Sequence, residues 1–171
     1  MINNINEAKI FLTDYDSYNN GKQFEHGHWI NLGDFADADS LNEYVENHFK
    51  EVGISDPEIM VTDYEGLPKN MYSESGMDFE EIYEYFETLE GASNPEAMAA
   101  YIAEGYNASD FDEAFQGEYD NDEDFAREFA DQIGAVNENA TWPNNCIDWE
   151  YAAKELMYDY FSIDNYYFRS L

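Results

Sequence analysis

Basic residues are scarce in this sequence: seven Lys plus Arg stand against 39 Asp plus Glu, a formal net charge of −32. None at all lies between Lys69 and Arg127. A chain of this sign repels nucleic acid and anionic membranes, so neither is expected as a direct ligand, and its partners are expected to be basic. Cysteine occurs once, as Cys146, which excludes an intramolecular disulfide framework. No apolar run approaches the ~20 residues of a membrane span. The opening MINNINEAKIFL lacks the basic start and apolar stretch of a signal peptide, so a cytoplasmic protein is expected. G-x-S-x-G, P-loop and dinucleotide-binding patterns are missing, and Cys146 has no evident histidine partner. Carboxylates are so abundant that no pair of them stands out for acid/base work. The chain is therefore expected not to be an enzyme, with no catalytic residues and no cofactor.

What is present is enough to fold. Apolar residues make up 44% and aromatic residues 18%, which excludes the disorder that strong charge otherwise brings. Length suits one compact domain or two or three small units. Turn-forming residues and charge density change near PKNMYSESG, 68 to 76, and GYNAS, 105 to 109, dividing the chain at 1–73, 74–106 and 107–171. The three segments carry formal charges of −10, −9 and −13, so the acidity runs the whole length instead of forming a tail.

The first segment reads as a small β-sheet plus one helix: KIFLT, HGHWINL and EIMVTDY as strands, LNEYVENHFKEVG as a helix ending at Gly53. The second is helical, with DFEEIYEYFETLEG followed by NPEAMAAYIAEGY, where Asn94 caps and Pro95 takes the first helical position. The third gives helices plus short strands: SDFDEAFQ with Ser109 as its cap, a GEY strand or connection, NDEDFAREFADQIG capped by Asn121, and IDWEYAAKELMY. A terminal hairpin joins DYFSI to YYFRS through Asp164 and Asn165. The fold class is α+β.

Two helices present acid outward. Phe79, Ile82, Tyr83, Phe86 and Leu89 keep helical spacing, which leaves Glu80, Glu81, Glu84 and Glu87 on the opposite side. In the third segment Phe125, Ala126, Phe129, Ala130 and Ile133 are expected inward. Asp124, Glu128 and Asp131 then form a stripe at i, i+4 and i+7, interrupted only by Arg127. Like charges at this spacing destabilise a helix by about 0.2–0.5 kcal/mol a pair, and interleaved lysine normally relieves that. Asp122, Glu123 and Asp124 are partly excused, because acids in a first turn meet the positive end of the helix dipole. The rest, with Glu118 and Asp120, are unexplained locally. Duplex DNA carries about one charge per 1.7 Å of axis, or per 3.4 Å along each strand, and helical acids three or four apart recur every ~5 Å.

Calcium is a rival reading, since Asp120, Asp122 and Asp124 match the first three ligand positions of an EF-hand loop. Phe125 then stands where glycine is needed and Asp131 where glutamate is needed. His26 and His28 could share a strand face, but no framework completes a zinc site, so no metal is expected. Trp29, Trp142, Trp149 and the fifteen tyrosines are assigned to the core, with Trp149, Ala152, Ala153, Leu156 and Tyr160 as one stripe.

Several passages together resemble the ArdA antirestriction family: YNNGKQFEHGHWINLGD, VTDYEG at 61 to 66, AFQGEYDNDEDFAREFADQIG and IDWEYAAKELMYDYF. Tyr18, Asn19, Gly21, Gly27, Trp29, Asp63, Tyr64, Glu65, Gly66, Gln116, Gly117, Glu118, Tyr119, Phe129 and Trp149 carry the likeness, FQGEY most specifically. The resemblance implies an elongated three-part protein, a homodimer through its last part. It also implies that the acidic surface imitates bent B-form DNA in the groove of type I restriction-modification enzymes, the methyltransferase core with its specificity subunit. Mobile-element DNA would thereby escape cleavage. The candidate DNA-imitating residues are Glu80, Glu81, Glu84, Glu87, Glu118, Asp120, Asp122, Glu123, Asp124, Glu128 and Asp131. Two alternatives share the same charge: a decoy for another basic DNA-binding protein, and a halophilic scaffold whose acids serve hydration.

Overall fold

The computed structural model describes residues 4–74, 76–136 and 141–171. The leader reading used residues 1–3 and the first segment break spans Ser75; both lie outside the described residues. Residues 1–99 and 100–171 form two compact units. Each contains one three-stranded antiparallel sheet with helices, an α+β architecture.

In the first unit β1 (Lys9–Asp14), β2 (His28–Asn31) and β3 (Ile59–Glu65) pair in the order β2-β1-β3. One-turn helices α1 (Tyr15–Asn19) and α2 (Gln23–His26) carry the chain from β1 to β2. Gly27 ends that passage because a Cβ there would lie 2.5 Å from the carbonyl oxygens of Gln23 and Leu12. Strand alternation divides the sheet into two faces. On one, Ile10 stands opposite Ile30, and Leu12 opposite His28 and Val61. Helix α3 (Ala38–Glu51) lies against this face: its Tyr44 and His48 rings touch His28, and Leu41, Val45 and Phe49 are buried. A capping box starts α3, with the Ser40 amide donating to Asp37 Oδ1 at 2.8 Å and the Asp37 amide to Ser40 Oγ at 3.2 Å. Hydrogen bonds from Ser40, its backbone amide first and then its side chain, hold the Asp37 carboxyl below its ordinary pKa. The other face carries Lys9, Phe11, Trp29, Asp63 and Glu65.

Helix α4 (Phe79–Gly91) belongs to the same unit. Asp78 caps it, and the Tyr83 hydroxyl donates to the Leu32 carbonyl at 2.7 Å, burial pushing that phenol up to about 12. The unit boundary falls inside α5 (Pro95–Ala103), which Asn94 caps by accepting the Ala97 amide at 3.0 Å.

The second unit contains α6 (Phe111–Ala114), β4 (Phe115–Glu118), α7 (Asp122–Gln132), α8 (Trp149–Leu156), β5 (Tyr160–Ile163) and β6 (Tyr166–Arg169). Its sheet runs β4-β6-β5. Asp164 and Asn165 make the two-residue hairpin, with Asp164 at φ 51°, a conformation aspartate tolerates. Aromatic rings fill both sides of this sheet. Phe115, Phe161 and Phe168 share one face with Tyr101, Tyr106 and Phe111. On the other, Tyr160 and Tyr167 meet Phe125 and Phe129 of α7.

Four expectations change. Ser109 is not a cap: Asn107 accepts the Ser109 amide at 3.1 Å and opens a single 3-10 turn, and α6 stops at Ala114 because Phe115 and Gln116 join β4. Ile133 is 62% exposed, since α7 ends at Gln132 and the chain turns through Gly134. Of the Trp149 stripe only Ala153 is buried, the others being half-buried. The tryptophans are not core residues: Trp29 is 40% and Trp142 76% exposed, and Trp149 is half-buried beneath Arg127.

Candidate acidic interface

Helix α4 buries Ile82, Tyr85, Phe86 and Leu89, which turns Glu80, Glu81, Glu84 and Glu87 to solvent. All four are exposed, so apolar spacing alone determines where this charge goes. Helix α3 adds a stripe the sequence reading missed: Asp39, Glu43 and Glu46 are exposed at i, i+4 and i+7, the same spacing as in α7. That spacing was the available signal. Lys50 answers part of it by pairing with Glu46 at 3.2 Å.

The second unit builds its cluster around the start of α7. Glu118 ends β4 opposite Tyr166, Asp120 lies in the bend beyond it, and both are exposed. Asn121 caps α7 by accepting the Asp124 amide at 3.0 Å while its own side-chain amide donates to Asp124 Oδ2 at 2.7 Å. Asp122, Glu123 and Asp124 thus occupy the first turn, where the dipole favours them. Further along, Asp124, Glu128 and Asp131 are all exposed. Arg127 does not neutralise that stripe: it reaches back to Glu123 at 3.4 Å and lies 5.1 Å over the Trp149 ring.

Asp122 has a second occupation. It accepts the Tyr167 hydroxyl at 2.6 Å, tying α7 to β6, and burial followed by this bond raises the Tyr167 pKa. Gly117, in FQGEY, has φ 133° at the irregularity between Phe115 and Gly117, and a Cβ there would meet the Tyr119 ring at 3.0 Å. Tyr119 in turn packs on Phe125 and Tyr167, and its hydroxyl donates to the Gln116 carbonyl at 3.2 Å. FQGEY therefore positions the turn that presents Glu118 and Asp120.

The α4 and α7 clusters belong to different units, and each is complete in its own. Residues that an EF-hand would need as loop, from Asp122 onward, are helix. Among the described residues, no group of three His, Cys, Asp or Glu is arranged to hold a metal. An open cleft of about 590 Å³ between α7 and α8 is lined by Asp122, Glu123, Glu150 and Lys154. Among the described residues no helix is long and apolar enough to cross a membrane.

The fold and its surface define a strongly acidic α+β protein whose regular elements bury aromatic rings and turn carboxylates outward. The family model described as antirestriction protein (ArdA) matches residues 10–169, and the chain belongs to that family. The family's role is antirestriction, the inhibition of restriction-modification enzymes. No curated protein matches the chain.

Proposed function

We propose that this chain inhibits type I restriction-modification enzymes by imitating duplex DNA. Its exposed carboxylates act as surrogate phosphates in the basic groove formed by the methyltransferase core and specificity subunit. The observation that carries this reading is the set of uncompensated acidic helix faces: Glu80, Glu81, Glu84 and Glu87 on α4, and Asp124, Glu128 and Asp131 on α7, all exposed in a chain of net charge −32. A groove that binds phosphates releases counterions when it is filled, and a dense carboxylate surface competes for the same arginines and lysines. Self-repulsion is the stability penalty of holding that surface.

In this reading the protein works in the cytoplasm, where it protects mobile-element DNA, and it acts as a homodimer joined through its last part. The three-part division at 73 and 106 belongs to the same reading, with limited proteolysis as its check. The direct test is displacement: a labelled duplex carrying a recognition site, bound to purified type I methyltransferase, is titrated with this protein. Stoichiometric release of DNA is expected. Retention of DNA at saturating protein would refute the imitation.

A further inference from the structure

The outer face of the first unit's sheet carries an aromatic patch that the acidic reading does not use. Trp29 stands directly across from Phe11, and Phe24 of α2 also touches Phe11, each of the two ring pairs edge-on at 5.7 Å. Phe24 is 78% and Trp29 40% exposed, so these two rings face solvent, while Phe11, which both touch, is buried. On the other side of β1, Asp63 stands opposite Phe11 and Glu65 opposite Lys9. Rings on β2 and β1 therefore lie beside carboxylates on β3, on one face of the sheet.

The patch already holds a cation of its own. Lys9 Nζ lies 5.2 Å from the centroid of the Trp29 ring and 2.8 Å from Glu65 Oε2. The second unit repeats the construction with a guanidinium, Arg127 lying over Trp149 and bonded to Glu123. Charge selects among the occupants an exposed aromatic face could take. Nucleic acid brings phosphates and is repelled, and in the homodimer reading the second copy is joined through the last part of the chain, not through this face. An uncharged apolar surface would offer nothing to the negative charge of Asp63 and Glu65. A planar cation satisfies both halves, stacking on the indole while its N–H groups meet the carboxylates.

We propose that Phe24, Trp29, Asp63 and Glu65 form a docking site for an arginine side chain on the basic surface of the partner protein, with Lys9 as its internal stand-in. The site rests on the DNA-imitation reading for its partner. It adds a contact that phosphate imitation lacks: stacking, which prefers arginine to lysine and resists salt.

Two peptides of equal length, an oligoarginine and an oligolysine, separate this from bulk charge when their affinities for the full chain and each variant are measured by titration calorimetry, with the Trp29 indole N–H signal followed by NMR wherever Trp29 is present. Oligoarginine is expected to move that signal and to bind about two- to fivefold more tightly than oligolysine, the size of an exposed cation–π contact. In F24A/W29A the preference disappears while the salt-dependent affinity common to both peptides stays. In K9Q, which vacates the ring, the preference for oligoarginine grows. Both aromatic positions are partly exposed, and W29F, which keeps a ring, retains part of the preference if the fold is intact. Equal affinity of the two peptides for the wild-type chain, a preference that survives F24A/W29A, or a preference that K9Q fails to increase would overturn the proposal. Displacement of DNA from the methyltransferase separates the two readings: wild type failing to displace ends DNA imitation, whereas F24A/W29A displacing as well as wild type ends the docking site alone.

Discussion

Neutralising four carboxylates at the start of α7, as E118Q/D120N/E123Q/D124N, separates charge used for binding from charge used for folding. Asp122 is left intact because Tyr167 depends on it. On the folding side, the change removes two first-turn acids worth about 0.3–1 kcal/mol each against the dipole. It also removes the exposed Glu123–Arg127 pair, an i, i+4 contact at 3.4 Å, worth about 0.3–0.5 kcal/mol. It gains relief of the like-charge pair Asp124–Glu128, about 0.2–0.5 kcal/mol, with some general relief of self-repulsion. The net change is a loss of roughly 1 kcal/mol, or less where the general relief is larger. On the binding side, four exposed ion pairs of ~0.2–1 kcal/mol each remove about 1–4 kcal/mol, a loss of roughly fivefold to a thousandfold in affinity. Thermal denaturation and DNA displacement from the methyltransferase, measured on the same preparations, give the two numbers. A folded variant that displaces DNA as well as wild type would refute the reasoning. So would a stability loss of several kcal/mol, which would assign these residues to the fold.

Y167F removes the hydroxyl bonded to Asp122, and because Asp122 is exposed and is left to water, the expected loss is about 1 kcal/mol by chemical denaturation, with displacement unchanged. G117A places a methyl group on the Tyr119 ring at φ 133°, and a loss of ~1–3 kcal/mol is expected; a neutral result would mean that the strand relaxes freely there. His28 gives a pH effect: burial and the neighbouring His48 ring, 4.3 Å away, lower its pKa below 6.5, while Tyr44 shares its Nε2 at 2.8 Å and His48 Nε2 donates to the His26 carbonyl. Between the lowered value and 6.5 the unfolded chain holds more protons, so this contribution is complete above 6.5 and fades as pH falls. Denaturation curves of wild type and H28Q should therefore converge on acidification; a gap constant from pH 7 to 5 would contradict the assignment.

Much of this fold is legible in residue order because its signals are local. The strands around Ile10, Ile30 and Val61, the caps Asn94 and Asn121, and the Asp164–Asn165 hairpin are set by neighbours within a few positions. The outward faces of α4 and α7 follow from the same periodicity, since burying Phe86 or Phe125 fixes where Glu84 or Glu128 must point. What the sequence hid depends on distant partners. Tyr167 reaches Asp122 across 45 positions, so a residue that looks like one more surface acid also holds α7 to β6. Trp149 has helical spacing suited to a core, yet Arg127 covers its ring instead of an apolar layer. Trp29 sits in a strand whose alternation is plain, but which face is left open is decided by α3 and its contacts with His28. Ser109 lost the cap to Asn107, two residues earlier and equally competent, a choice settled by where the 3-10 turn begins.

The central claim is that binding is driven by charge that replaces phosphate. The measurement that tests it most directly is the affinity of this protein for a purified type I methyltransferase across a salt series, beside the affinity of a DNA duplex for the same enzyme. The account predicts that both fall linearly on logarithmic axes with slopes of similar size, as counterion-linked binding requires. A protein affinity that stays flat with salt while that of DNA falls would contradict it.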